Sequence, residues 1–321
     1  MSAILIDIKD KLSKGKLINF EEAMILTEDS IEYEELFFFA DELCKKNMGY
    51  SIDLCSIINA KSGKCSENCK YCAQSSYYNT NVQSYPLAAL DEVLNLAREN
   101  EKQGVQRFSI VTSGKCPTQD DFENILEMIS VLKKETSLKL CASLGSITYE
   151  QALSLKQVGL SMYHHNIETC SEYYNEICDT HTYEDRIYTI RNAIKAGIEV
   201  CCGGIIGMGE SMEQRIRMAF EIRELGIKSV PINILNPVKG TPLENAKKLQ
   251  PFEILKTISL FRIIIPYASI RYAGGRMFLG EYQSKGFNAG INAMMVGNYL
   301  TTVGNKISDD LEMIQSMGLR I

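Results

Sequence analysis

The chain has 321 residues, 45% hydrophobic and 23% charged, with 34 basic against 40 acidic side chains and a net charge of −6. This balance suits a folded globular protein and provides no basic face for a polyanion, so nucleic acid is excluded as a partner. No stretch approaches the roughly 20 apolar residues that span a bilayer, and the opening Met1-Ser-Ala-Ile-Leu-Ile-Asp-Ile-Lys lacks a basic segment followed by an apolar one, so the expected setting is cytoplasmic, with no membrane partner.

Residues 1–48 read as helical, because Glu21–Leu26 and Tyr33–Ala40 cluster apolar groups among acids; they are expected to form an N-terminal cap. Residues 49–321 then alternate β-rich runs with helical stretches. Eight such runs occur: Ile52–Ile58, Arg107–Thr112, Leu138–Ser143, Met162–Glu168, Glu199–Ile206, Ser229–Leu235, Ser269–Ala273 and Ala293–Gly297. Amphipathic segments such as Leu87–Gln103 and Asp120–Glu135 separate most of them. The alternation calls for a parallel sheet. Eight nearly even units, with no G-x-G-x-x-G after the first, favour an α/β fold of the (β/α)8 TIM type with an N-terminal helical extension over an open doubly wound sheet. Ser308–Met317 reads as a closing helix stopped by Gly318.

Behind the first run stands Gly63-Lys-Cys65-Ser-Glu-Asn-Cys69-Lys-Tyr-Cys72-Ala-Gln, a C-x3-C-x2-C loop with no fourth thiol nearby. Structural zinc needs four closed ligands, and the next cysteine, Cys116, is far downstream. A disulfide framework fits poorly with 11 cysteines, an odd number, and no secretory context. Polar neighbours Lys64, Glu67, Asn68 and Lys70 do not match a core segment. A [4Fe-4S] cube held at three corners does fit, and it leaves one iron open for chemistry. In a barrel, a loop after a strand lies on the face that carries active sites.

A second set of thiols follows from strand order. Cys55, Cys141 and Cys201 lie on the first, third and fifth runs and Arg271 on the seventh, so they are expected to share one interior layer of the barrel. Three inward thiols and a cation are costly in a packed core unless a metal cluster uses them. Cys202 should point outward to the helices; Cys44, Cys116, Cys170 and Cys178 receive no role, although Cys116 sits in a loop within reach of a cluster. Asn166 and Glu168 share parity at the end of the fourth run and should face the barrel mouth with Asn233 of the sixth. Glycines in Gly203–Gly209 permit close backbone approach there. With only three histidines, two of them adjacent at 164 and 165, histidine-driven acid–base chemistry has little material.

These blocks together resemble the biotin synthase family of radical S-adenosylmethionine (SAM) enzymes, from about Ser51 to the C-terminus. The resemblance is carried by Cys65–Cys72 with Ala73-Gln74-Ser75, by Tyr163–Thr169, by Cys201–Glu210, by Val230–Leu235 with Val238-Lys-Gly-Thr-Pro-Leu243, and by Arg271–Arg276. Hydrogenase-maturation and methylornithine-forming enzymes share the cysteine loop and much of the fold, so they are the enzyme alternatives; a non-catalytic iron–sulfur scaffold is the other. The resemblance implies that the open iron of the Cys65, Cys69 and Cys72 cluster chelates SAM. It further implies that a 5′-deoxyadenosyl radical removes hydrogen from dethiobiotin, that a second, sacrificial cluster donates sulfur, and that two SAM are consumed per biotin. Tyr71, Asn166, Glu168, Arg186 and Ile205 would bind SAM, and Asn166 and Asn233 the ureido ring of dethiobiotin. A flavodoxin or ferredoxin electron donor and a homodimer are also implied. The chain departs from the family pattern in one respect. That pattern holds a [2Fe-2S] cluster with cysteines of strands 2, 3 and 5 and an arginine of strand 7, whereas strand 2 here carries Ser109 and strand 1 carries Cys55. Cys55, Cys141 and Cys201, with Arg271 beside them, are therefore expected to hold the auxiliary cluster, either [2Fe-2S] or a larger four-iron cluster with an extra sulfide.

Overall fold

The computed structural model describes residues 2–298, 300 and 304–321; residues 1, 299 and 301–303 of the two expected domains lie outside the described residues. Three helices come first: α1 (Ala3–Ser13), α2 (Phe20–Ile25) and α3 (Tyr33–Met48). Nine parallel strand segments and the remaining helices follow. They are β1 (Asp53–Lys61), α4 (Leu90–Lys102), β2 (Arg107–Thr112), α5 (Gln119–Glu135), β3 (Lys139–Ser143), α6 (Tyr149–Gln157), β4 (Met162–His164) and α7 (Tyr183–Lys195), then β5 (Glu199–Cys201), β6 (Gly204–Ile206), α8 (Met212–Glu224), β7 (Ser229–Ile234), α9 (Pro251–Ile264), β8 (Ser269–Tyr272), α10 (Lys285–Asn288), β9 (Ala293–Met295) and α11 (Ile307–Ser316).

Each strand pairs with its sequence neighbour except that β5 and β6 do not pair with each other; β9 pairs with β1, and β7 pairs with both β5 and β6. The sheet therefore closes as an eight-staved barrel in which β5 and β6 are two halves of one stave. The fifth expected run is thus broken at Cys202 and Gly203, and the fourth ends at His164 instead of Glu168. The cause is local competition for hydrogen bonds: Asn166 Oδ1 accepts the Gly203 N–H at 3.1 Å, and Ile167 N donates to Gly203 O at 3.1 Å. A side-chain oxygen has taken a ladder position, which ends regular pairing. Only the bridge between Glu168 and Gly204 continues it.

Alternation within β1 shows what the barrel interior is for. Leu54, Ser56, Ile58 and Ala60 are buried, while the opposite row, including Cys55 and Ile57, is only half-buried. Outward residues meet the helix layer; inward ones border a lumen with space in it. The helices start where the chain supplies caps: Thr148, Thr182 and Ser211 each accept the backbone N–H three residues on, and each is answered by the side chain at that third position. Helix α9 is buried along most of its length because α3 packs over it and α8 beside it, so α3 completes the wall of the barrel's outer layer on that side. Among the described residues, no helix is long and apolar enough to cross a membrane.

A buried ion pair secures the turn after β6. Glu210 accepts from Gly207 N and Met208 N, both at 2.7 Å, and pairs with Arg215 Nε at 2.6 Å; neither side chain is appreciably exposed. Glu210→Ala leaves two buried N–H groups without their acceptor and the Arg215 guanidinium with Glu253 at 2.9 Å as its remaining carboxylate, so the expected cost is about 3 kcal/mol, the lower end for a broken buried pair. A urea titration of the wild-type and variant apo-proteins measures that loss as a lower midpoint.

Candidate iron–sulfur active site

The loop that leaves β1 is folded by its own backbone. Cys65 N donates to Gln74 O at 3.0 Å, Ser76 N to Cys65 O at 2.8 Å and Cys72 N to Cys69 O at 2.9 Å. Gly63 takes a φ of 76° and Lys64, unusually for a residue with a side chain, one of 52°, which turns the chain sharply into the first cysteine. Distant residues brace the loop from behind: Lys70 N donates to Ile177 O at 2.9 Å, and Asn68 N to Thr180 Oγ1 at 3.1 Å. Cys65, Cys69 and Cys72 thereby line one cavity of about 200 Å³, facing Asn166, Glu168 and Arg186 across it. Burial pushes the Cys72 thiol up to about 11. Bare, the pocket disfavours thiolates; bound iron would reverse that preference. Three thiols on one side and an amide, a carboxylate and a guanidinium on the other fit a three-thiolate [4Fe-4S] cluster with its open iron beside an amino-acid ligand.

A second cavity of about 360 Å³ fills the lumen. Cys55, Cys141, Cys201 and Arg271 all line it, so the odd-strand layer expected from sequence is brought together. Burial raises all three thiols, Cys55 to about 11, and the charge of neighbouring thiolates adds to the rise at Cys55 and Cys141. Ser229 Oγ donates to Cys201 Sγ at 3.3 Å. Ser109, pairing with Cys141 in the ladder, lines the same space as Cys55.

Two charged residues of this layer were not singled out from the sequence. Asp53 Oδ2 accepts from Arg271 Nη2 at 2.6 Å and from Arg107 Nε at 2.8 Å. Although burial works against it, Arg271 and Arg107 hold the Asp53 carboxyl below the usual carboxylate range. Arg271 Nη1 is committed as well, to Asp53 O at 2.9 Å and Met294 O at 3.2 Å. The signal was available: Asp53 shares strand parity with Cys55, and Arg107 with Ser109. Two guanidiniums against one carboxylate give the thiol layer itself a local positive excess, which suits an anionic cluster, while Glu168 lines the same lumen beyond it.

Tyr71, Asn166, Glu168, Ile205 and Asn233 all line the larger cavity, and Arg186 lines the smaller. Asn166 Nδ2 donates to Glu168 Oε2 at 3.2 Å; Arg186 Nη1 donates to Asn166 O at 3.0 Å and lies 3.4 Å from Glu168 Oε1. Glu168 itself has a φ of 69°, and Gly204 makes this possible, because a Cβ there would collide with the Glu168 carbonyl oxygen. Asn233 donates through Nδ2 to Gly204 O at 3.2 Å and accepts at Oδ1 from Gly274 N at 2.9 Å.

The remaining cysteines sort by place. Cys202 is buried in the core outside the lumen, as expected from its parity, and Cys44 and Cys170 are also buried. Cys116 is exposed and lines neither cavity. Cys178 lies 3.7 Å from Cys69 Sγ, with His181 Nε2 at 3.3 Å from Cys69 and 3.4 Å from Cys178. The hydrogen bond shared by the two thiols pushes Cys69 up and Cys178 down. Nothing in the spacing of residues 178 and 181 announces this meeting.

Comparison with known proteins agrees with this geometry. Residues 60–234 match the Radical SAM superfamily, and residues 231–320 match the Biotin and Thiamin Synthesis associated domain. A biotin synthase of Acetivibrio thermocellus is 70% identical over 98% of both chains, and one of Clostridioides difficile is 54% identical over 100% of both. Among solved structures, a methylornithine synthase (PylB) superposes with a TM-score of 0.84 at 20% identity, covering 98% of this chain and 96% of its own. The hydrogenase maturase HydG superposes with a TM-score of 0.84 at 19% identity, covering 99% and 76%. Those two likenesses establish the fold, a closed barrel of parallel strands and helices. Full-length identity at this level, on a barrel that opens three loop thiols toward Asn166 and Glu168, establishes more: the chain belongs to the biotin synthase family of radical SAM enzymes.

Proposed function

We propose that this radical SAM sulfurtransferase converts dethiobiotin into biotin with Cys65, Cys69 and Cys72 holding its [4Fe-4S] cluster and Cys55, Cys141 and Cys201 holding the auxiliary cluster. One observation carries the assignment of these groups: the two three-thiol cavities share a wall that includes Tyr71, Cys72, Asn166 and Glu168. When bound, the first cluster supplies the electron that splits SAM into methionine and a 5′-deoxyadenosyl radical, and the auxiliary one supplies sulfur.

The chain's own residues bind, orient and exclude water. Glu168 and Asn166 face the smaller cavity with Arg186 behind them, a donor and acceptor set suited to the amino and carboxylate groups of SAM, with Tyr71 and Ile205 beside its adenosyl part. Each of Asn166 and Asn233 spends one amide hydrogen and one carbonyl lone pair on protein, leaving one of each for the ureido ring of dethiobiotin. Ile57, Val111 and Met295 supply apolar wall to the lumen, which suits the carbon chain of the substrate and keeps water from it. Arg271, held by Asp53, balances the charge of the auxiliary cluster; its ion pair and two carbonyl contacts favour this role over ligation of iron.

Four further parts belong to the same reading. Residues 1–48 act as a helical cap on a 49–321 barrel domain; the enzyme works in the cytoplasm as a homodimer; a flavodoxin or ferredoxin delivers the electron; and the auxiliary cluster is a four-iron type carrying an extra sulfide, in place of [2Fe-2S]. Support for the last is the Cys55, Cys141 and Cys201 layer with Ser109 on the second strand.

An anaerobic assay tests the whole. Protein reconstituted with isotopically labelled sulfide is given reductant, SAM and dethiobiotin, and 5′-deoxyadenosine, 9-mercaptodethiobiotin and biotin are followed by mass spectrometry. The expected product is biotin carrying the label. SAM cleavage that ignores dethiobiotin would overturn the substrate assignment, and unlabelled biotin would overturn the sulfur source.

A further inference from the structure

Resting on the cluster assignment just made, we infer that His181 is a positioning residue for the SAM-cleaving cluster: its Nε2–H donates a hydrogen bond to the Cys69 thiolate, and a donor chain starting at Arg186 fixes that proton on Nε2. A guanidinium has donors only. Arg186 Nε meets Tyr174 Oη at 2.5 Å, so the tyrosine oxygen is the acceptor and its own hydrogen points elsewhere. Its other neighbour is His181 Nδ1 at 2.7 Å. Accepting there, Nδ1 carries no proton, and the neutral ring carries its hydrogen on Nε2. Nε2 lies 3.3 Å from Cys69 Sγ. The opposite tautomer would deny the tyrosine hydrogen the Nδ1 acceptor 2.7 Å away and aim a nitrogen lone pair at an iron-bound thiolate.

The surroundings keep this chain dry and specific. Tyr174 is 1% exposed and the His181 side chain 10%. The other groups facing Nε2 are Cys178 Sγ at 3.4 Å and Glu67 Oε2 at 3.9 Å, the latter beyond hydrogen-bond reach. Cys69 is therefore the nearest acceptor once iron holds it as a thiolate. Hydrogen bonds to cluster sulfur favour the reduced state, which carries one more negative charge, and so raise the reduction potential. The chain begins at the guanidinium that also bonds Asn166 O and pairs with Glu168.

Two spectroscopic readouts test this without relying on turnover. Cluster-loaded protein is titrated to its reduced state under electron paramagnetic resonance. His181→Leu is expected to lower the reduction constant about tenfold, a potential lower by about 59 mV for one electron, whereas His181→Gln, which keeps an N–H near the Nε2 position, should stay close to wild type. In protein labelled with [15N]histidine, the reduced cluster should show a nitrogen coupling that disappears in His181→Gln. A His181→Leu cluster that is intact by spin count yet titrates at the wild-type potential overturns the inference, as does a coupling that survives in His181→Gln. Should His181→Leu lose its cluster, Tyr174→Phe decides: it lowers the potential if the tyrosine sets the tautomer, and an unchanged potential refutes the chain. Wild-type protein with no [4Fe-4S] signal perturbed by SAM would instead refute the underlying cluster assignment.

Discussion

Replacing Cys72 with alanine is expected to abolish SAM cleavage, with 5′-deoxyadenosine formation falling at least about 10³-fold, well inside the acceleration of about 10⁶-fold or more that enzymes supply. The loop fixes Cys72 at both its backbone groups, through Cys72 N to Cys69 O at 2.9 Å and Ser75 N to Cys72 O at 3.3 Å. Cys72 also belongs to the wall between the two cavities. Two remaining thiols cannot retain a cube whose open position must stay free for SAM. Iron should fall but not vanish, because Cys55, Cys141 and Cys201 are untouched. The check is paired: iron per chain after reconstitution, and 5′-deoxyadenosine by mass spectrometry. SAM cleavage at the wild-type rate in Cys72→Ala would remove the loop from the mechanism.

Cys55→Ala should separate the two halves of the reaction. SAM cleavage continues, whereas 9-mercaptodethiobiotin and biotin fall at least about 100-fold, the upper end of what losing even an outer-shell partner costs a metal site. Cys55 lines the same lumen as Cys141, Cys201 and Arg271, and the second strand offers Ser109 where a thiol would otherwise stand. Serine is a poor ligand for iron–sulfur clusters beside a thiolate, so in the proposed assignment the first strand supplies the third sulfur. Mössbauer spectra decide the cluster type. An ordinary [2Fe-2S] centre persisting in Cys55→Ala would show that Cys55 is only a packed thiol and would sink the four-iron assignment.

Much of this site was legible in the sequence because barrel geometry converts simple periodicities into positions. Strand parity placed Cys55, Cys141, Cys201 and Arg271 in one layer, and the rule that active loops follow strands placed Cys65–Cys72 at the mouth. What escaped were relations that periodicity does not encode. Strand parity tells which way Asp53 points, but its double ion pair with Arg107 and Arg271 depends on how tightly the closed barrel brings three strands together. Cys178 and His181 reach Cys69 from more than a hundred residues away, through a loop whose course is set by Asn68 and Lys70 holding Thr180 and Ile177. The break in the fifth stave was hidden for a related reason: Asn166 and Gly203 interact across strands, and neither residue alone forbids a continuous one.

The wall shared by the two cavities bears on how the enzyme passes through successive turnovers. Family resemblance implies two molecules of SAM for each biotin, so methionine and 5′-deoxyadenosine must leave and fresh SAM must enter while a half-made product waits. A single open cleft would lose that product with the spent fragments. Here the two cavities meet at Tyr71, Cys72, Asn166 and Glu168, and in the reaction proposed above a sulfur-bearing intermediate attached at the lumen thiols would stay behind while the cavity beside the thiol loop exchanges its contents. An enzyme working in this way is retentive: a chase of unlabelled dethiobiotin added after the first SAM cleavage should leave the labelled intermediate on its way to biotin.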